Sequence, residues 1–231
     1  MIVHNLYNPP MKLPLLSISA TLAALLLAPH IAAAQQEFPP PSGKGRVVVV
    51  VAGTSGAPAY RQVARLIAGL GYYAVLFEAN DWPESGNKGL RDAIATAHRM
   101  PHALPGKVGL VGFSLGGAHV LGYGTALSDE VAVVAAWYPA TSPFKDPAGW
   151  AGRLKVPTVM FAGENDIYKG CCLIDKAREL ARAAVAAGAP FELVTYPNAP
   201  HGFVLGGESY KPIPYGDAFA RTQAALRKAL D

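Results

Sequence analysis

Ser114 stands in the run Gly112-Phe113-Ser114-Leu115-Gly116-Gly117. A serine is a weak nucleophile until a neighbouring base takes its proton, so its surroundings decide whether it reacts. G-x-S-x-G between an apolar stretch and a helix-like one implies a sharp strand-to-helix turn that lifts the hydroxyl clear of the chain. A Cβ at Gly112 or Gly116 would crowd that turn. A helix opening at Leu115 points free N–H groups and the positive end of its dipole at the same spot. An oxyanion formed there would be stabilised, with the Leu115 N–H as one donor. The run lacks the lysine of a G-x-x-x-x-G-K-[ST] phosphate loop and the spacing of G-x-G-x-x-G.

A serine nucleophile needs a base, and the base an orienting carboxylate. On a strand–helix scaffold of this kind they follow the serine in the order acid, then histidine. Past the leader described below, the chain has His98, His102, His119 and His201. Only His201, in Asn198-Ala199-Pro200-His201-Gly202-Phe203, follows a plausible acid loop. That loop is Gly163-Glu164-Asn165-Asp166. Asp166 is preferred to Glu164, because the chain needs a residue or two beyond the strand before it can turn inward. Ser114, Asp166 and His201 are thus the expected catalytic residues. The loop Gly53-Thr54-Ser55-Gly56 would supply a second oxyanion donor, the Thr54 N–H.

The remaining candidates read differently. His98 and His102 are four apart on an expected helix and could share a metal, but no third ligand accompanies them and a solvated helix face is preferred. No metal site is expected. His119 is expected to pack beneath the turn. Cys171 and Cys172 are neighbours, with Cα atoms about 3.8 Å apart, below the usual disulfide span. Buried thiols, an intermolecular bridge and a strained vicinal disulfide are all open to them, and buried thiols are favoured.

These residues need a scaffold, and the pattern supplies one. A continuous β-branched run at 46–52 reads as a strand buried on both faces, and 72–77, 107–111, 131–137, 157–162 and 191–196 read as further strands. Segments 60–70, 88–100, 116–127, 172–187 and 215–230 have helical spacing. The alternation predicts an α/β fold in three layers, a mostly parallel sheet with helices on both sides. Reactive groups gather beyond the carboxyl ends of such strands. Glu78, Trp82, Tyr138 and Phe144, at other strand ends and loops, are accordingly expected to line the substrate site.

The chain has 231 residues, 51% apolar and 16% charged, with two cysteines and a net charge of +4. Disorder and a disulfide-stapled mini-protein are excluded. The low charge traces partly to the first 34 residues: Lys12, an uncharged stretch from Leu13 to Ala28, then Ala32-Ala33-Ala34. This is the pattern of a secretory leader cut after Ala34, so a secreted or periplasmic protein is expected. The uncharged stretch is short for a membrane span, and no membrane association is expected once it is removed. Residues 35–45, rich in Pro and Gly, read as an extended lead-in, and 46–231 as one domain. The basic surplus is scattered with no run of five, so nucleic acid is not an expected partner.

Over about 46–230 the chain resembles the α/β-hydrolase superfamily and, within it, the dienelactone hydrolase family. The resemblance rests on Gly112–Gly117, on Gly163–Asp166 and on Phe191–Phe203 (FELVTYPNAPHGF). It implies an α/β-hydrolase fold and hydrolysis of a small-molecule ester or lactone without metal or organic cofactor. One departure is plain. The family's founding enzymes use cysteine at the turn, steadied by a glutamate beyond an early strand. Here the turn carries Ser114, and Val47–Ser55 contains no acid. The three expected catalytic residues stay intact, while a dienelactone substrate is placed in doubt. Polyester and cutin hydrolases share the turn. A short acyl group or small soluble ester is expected; a non-catalytic binding protein, a peptidase and an acyltransferase are the alternatives.

Overall fold

The computed structural model describes residues 35–79 and 86–231. The leader expected over 1–34 and the substrate candidate Trp82 lie outside the described residues. The valine run of β2 (Gly45–Val51) shows why the sheet forms. Successive side chains of a strand point to opposite faces, so Val47, Val49 and Val51 enter one core while Val48 and Val50 enter the other. Only a strand covered on both sides can bury such a run.

The other strands are β1 (Gln35–Phe38), β3 (Tyr73–Phe77), β4 (Ala103–Phe113), β5 (Val131–Trp137), β6 (Thr158–Gly163) and β7 (Phe191–Tyr196). They lie in the order β1-β3-β2-β4-β5-β6-β7. All pairings are parallel except the antiparallel β1–β3 edge. Helices α1 (Arg61–Gly69) and α6 (Pro212–Leu230) cover one face through Val63, Ile67, Leu226 and Leu230. Helices α2 (Gly86–His98), α3 (Leu115–Gly122), α4 (Pro147–Gly152) and α5 (Ile174–Ala186) cover the other. They contribute Leu90, Ile94, Val120, Leu121, Trp150 and Leu180 to its core. Among the described residues no helix is long and apolar enough to cross a membrane.

Three features differ from the sequence reading. The lead-in contains β1, registered from Gln35 opposite Phe77 to Phe38 opposite Ala74; four residues are too few for alternation to reveal a strand. Arg65 lies over the Phe38 ring, 5.8 Å from its centroid, and the Tyr73 hydroxyl donates to Glu37. The final helix begins at Pro212, a residue that fits a first helical position because it has no N–H to satisfy. Helix α4 was not foreseen. Asp146 caps it, accepting from the Gly149 N–H at 2.9 Å, and its single turn and a half has no periodicity to read.

Every loop that matters for chemistry leaves the same edge of this sheet. Gly53–Gly56 follows β2, Ser114 follows β4, Tyr138 follows β5, Asp166 follows β6 and His201 follows β7.

Candidate active site

Ser114 adopts φ 51° and ψ −113°, a conformation L residues rarely hold. Its surroundings over-determine it. The Ser114 N–H donates to the Trp137 carbonyl at 3.0 Å, and its own carbonyl accepts from Ala118 and Ala140 at 3.0 and 2.9 Å. Helix α3 is pressed against β2: the Gly116 N–H donates to the Ala52 carbonyl at 3.1 Å. A Cβ on Gly116 would strike the Val51 and Ala52 carbonyl oxygens, and one on Gly112 would strike the Gly116 carbonyl. Gly53 is equally constrained, since a Cβ there would lie 2.9 Å from Ser114 Cβ and 2.5 Å from the Tyr60 hydroxyl.

The Ser114 hydroxyl lies 2.9 Å from His201 Nε2, and His201 Nδ1 lies 2.7 Å from Asp166 Oδ2. A carboxylate only accepts, so Nδ1 carries the proton and Nε2 presents a lone pair to Ser114. The Asp166 side chain is 1% exposed and that of His201 13%. Asp166 uses its other oxygen to accept the Tyr168 N–H at 3.1 Å. Tyr168 in turn stacks on the imidazole, and Tyr138 meets the ring edge-on with centroids 5.1 Å apart. Beneath lies an aromatic layer in which Tyr60 stacks on Phe113 at 4.6 Å and Tyr138 packs on Phe203 at 5.0 Å. Burial pushes the Tyr60 and Tyr138 phenols up from their ordinary values, so both stay neutral. The Tyr138 hydroxyl lies beside that of Tyr60 without closing a geometrically good hydrogen bond.

The oxyanion candidates flank Ser114. Leu115 is the first residue of α3, so its N–H has no intrahelical acceptor. Thr54 sits in a turn closed by the Gly56 N–H donating to the Gly53 carbonyl at 3.0 Å, next to the glycine that touches Ser114.

Three of the expected substrate-lining residues are described, and Tyr138 and Phe144 face the core. Glu78 accepts the Ala57 N–H at 2.8 Å and so clamps the loop after β2. Tyr138 is 1% exposed and has no surface to offer a substrate; it supports the His201 ring from behind. Phe144 packs edge-on against Trp150, 5.6 Å between centroids, and belongs to the core beneath α3 and α4.

His98 closes α2 whereas His102 lies beyond Pro101 with Nδ1 3.2 Å from the Gly43 carbonyl, so the two share no helix face. His119 is half-buried beside Tyr123, and burial lowers its pKa while a hydrogen bond to the Ala79 carbonyl opposes this. The cysteines correct the preference for buried thiols. Cys171 and Cys172 are bonded to each other, with S–S 1.98 Å. Two left-handed residues, Lys169 and Gly170, turn the chain just before them. The Cys171 carbonyl then accepts the Thr141 and Ser142 N–H groups at 2.9 and 2.8 Å.

Tyr60 and Tyr168 were not singled out from sequence. Tyr168 lies two residues past the acid, which was a usable signal; Tyr60 gave none. A groove of about 820 Å³ opens at the opposite sheet edge, where Val131, Thr158 and Phe191 begin β5, β6 and β7. Neither Ser114 nor His201 borders it, so chemistry rather than volume locates the site.

A profile of the dienelactone hydrolase family matches residues 76–230. A Klebsiella pneumoniae protein classed as a dienelactone hydrolase superposes with TM-score 0.70 at 22% identity, over 84% of this chain and 98% of that one. Thermogutta terrifontis esterase 2, solved phosphoramylated by tabun, gives 0.65 at 16% identity, over 84% and 88%. A dienelactone hydrolase-like promiscuous phosphotriesterase from metagenomic libraries gives 0.66 at 18% identity, over 82% and 89%. At such identities the likeness shows a shared fold, the α/β-hydrolase fold. A comparison with curated proteins finds no match.

Proposed function

The chain belongs to the dienelactone hydrolase family, and from that premise we propose that it cleaves carboxylic esters or lactones by acyl transfer through Ser114. The observation that carries the reading is the unbroken series from Ser114 Oγ to His201 Nε2 and from His201 Nδ1 to Asp166, at 2.9 and 2.7 Å.

Asp166 fixes the tautomer in which Nε2 accepts. As Ser114 Oγ attacks the ester carbonyl, its proton passes to Nε2, and the imidazolium is held by the Asp166 carboxylate. The carbonyl oxygen becomes an oxyanion held by the Leu115 and Thr54 N–H groups; losing one such donor costs about 10²–10³ in turnover. The imidazolium then protonates the departing alkoxide. Water, giving its proton to Nε2, attacks the acyl carbon, and Ser114 leaves with that proton restored.

Ile167 and Tyr168 stand 81% and 39% exposed on the Asp166 loop, beside the base that protonates the leaving group. An apolar substituent on the alcohol side of the ester suits them. We also propose that the enzyme acts outside the cytoplasm, a reading supported by the leader-like residues 1–34 and by a disulfide that fits an oxidising compartment.

The test is turnover of a panel of alkyl and aryl esters, lactones and amides by native protein and Ser114→Ala. Ester or lactone hydrolysis abolished in the variant is expected. Preference for amides would move the reading to a peptidase, and equal behaviour of both proteins to a binding protein. An exported product beginning at Gln35 is the expected outcome of N-terminal sequencing.

A further inference from the structure

Among the described residues, one group of potential metal ligands gathers closely, and it shares His201 with the hydrogen-bonded series. The sulfurs of Cys171 and Cys172 and a ring nitrogen of His201 all lie within 4.8 Å of one another. In the structure the sulfurs are spent on each other, and that bond keeps two strong soft ligands away from the base. Reduction changes what the cluster offers: two thiolates and a neutral imidazole.

We propose that the Cys171–Cys172 pair is a redox-gated metal site, whose reduced form chelates a soft divalent cation such as zinc together with His201. The inference rests on the acyl-transfer reading for its effect on activity, though not for the binding itself. Zinc takes thiolate at about 2.3 Å and imidazole at about 2.0–2.1 Å in tetrahedral geometry, which puts neighbouring ligand atoms roughly 3.5–3.8 Å apart. The ring nitrogen and both sulfurs already lie within 4.8 Å of one another, and opening the bond between the sulfurs lets them part toward that spacing. Two thiolates also neutralise a divalent charge, and water completes the fourth position.

The chemistry balances. A dithiol donor reduces the pair by exchange, giving two protein thiols and the donor's own disulfide. Each thiol then loses its proton to the solvent as its sulfur binds the cation, two protons per ion. Either ring nitrogen disables the site once it is bound. Nε2 held by metal cannot take the Ser114 proton, and Nδ1 held by metal loses Asp166. The disulfide therefore keeps the oxidised protein active in the presence of soft cations, and the reduced protein is silenced by them.

The loop around the pair is suited to surviving the change. The Cys171 carbonyl is held by the backbone of Thr141 and Ser142 and by the Thr141 hydroxyl, none of which depends on the sulfur bond. In the preceding turn Lys169 lies above the Tyr168 ring, 5.2 Å from its centroid.

The experiment uses the chain purified in oxidised form, and a portion reduced with a phosphine that is then removed without air. Cobalt(II) is titrated into each, and absorption from thiolate-to-cobalt charge transfer is read. One equivalent is expected to develop the band in the reduced protein and none in the oxidised. Cys171→Ser/Cys172→Ser is expected to abolish it, and His201→Gln to weaken binding about tenfold or more. A second readout is labelling of Ser114 by a fluorophosphonate. Stoichiometric zinc is expected to slow it about 100-fold or more in the reduced protein only, with a chelator restoring the rate. No band in reduced protein, or a band whose affinity is untouched in His201→Gln, overturns the proposal. So does equal slowing by zinc of oxidised, reduced and double-serine proteins. If oxidised protein never labels at Ser114, the acyl-transfer reading fails, and the cobalt titration still judges the site alone.

Discussion

The phenol ring of Tyr168 lies parallel to the His201 imidazole, with centroids 4.6 Å apart and planes within 6°. The same carboxylate governs both rings, because Asp166 takes the His201 Nδ1–H on one oxygen and the Tyr168 N–H on the other. A single buried acid thus sets the tautomer of the base and the position of the ring that covers it.

A ring face against an imidazole that becomes cationic in the transition state contributes about 0.5–2 kcal/mol. Tyr168→Ala should therefore lower kcat about twofold to thirtyfold and shift KM less, while Tyr168→Phe retains most of the rate. Steady-state kinetics on an aryl ester decides this. An alanine variant as fast as the native protein would remove the stack from the mechanism.

Asp166→Asn preserves the shape of the side chain but can present an N–H to Nδ1 and favour the wrong tautomer. The expected loss is about 10⁴ in kcat, with the melting temperature changed far less than the rate. A loss below about tenfold would show that the orientation of His201 is held by Tyr138 and Tyr168 without the acid.

Gly53 faces a tighter limit than its loop position implies. An added Cβ would press on Ser114 Cβ and the Tyr60 hydroxyl. Overpacking of this kind costs about 1–3 kcal/mol, and here it bears on the nucleophile. Gly53→Ala should lower the denaturation midpoint modestly and slow acylation disproportionately. Equal rates for variant and native protein would contradict the close approach.

The legibility of this molecule in its sequence follows the length of its patterns. The run Val131–Trp137 is legible to the residue because it is apolar throughout and almost wholly buried, whereas Phe191–Tyr196, an edge strand carrying Glu192 and Thr195, is marked by its mixed β-forming residues after the turn at Gly188. The serine, acid and histidine stood out because their order and strand ends are set by how the chain winds. Tyr138 reads as a substrate contact because sequence gives a strand end but not the direction of a side chain. In the structure its ring turns beneath that of His201 and is almost wholly buried. The bond between Cys171 and Cys172 was illegible for a related reason. Adjacent positions say nothing of how Lys169 and Gly170 turn the chain before them.

His119 is one source of acid sensitivity outside the site. Burial lowers its pKa from the ordinary 6.5, so the folded state prefers the neutral ring. A depressed folded pKa contributes stability that is fully present above 6.5 and is lost as pH falls toward the lowered value. Denaturation midpoints measured from about pH 7.5 down to about 5 should fall, and His119→Gln should flatten that fall. An unchanged slope in the variant would assign the loss to other groups.

The central claim is an activated serine at the end of β4, and a fluorophosphonate probe reads it most directly. The oxidised native protein should gain the mass of one probe, with the modified peptide carrying Ser114. Ser114→Ala should gain none, and His201→Ala should react slower by about 10³ or more. Folded native protein that stays unlabelled, or a Ser114→Ala variant labelled as fast as the native chain, would contradict the account.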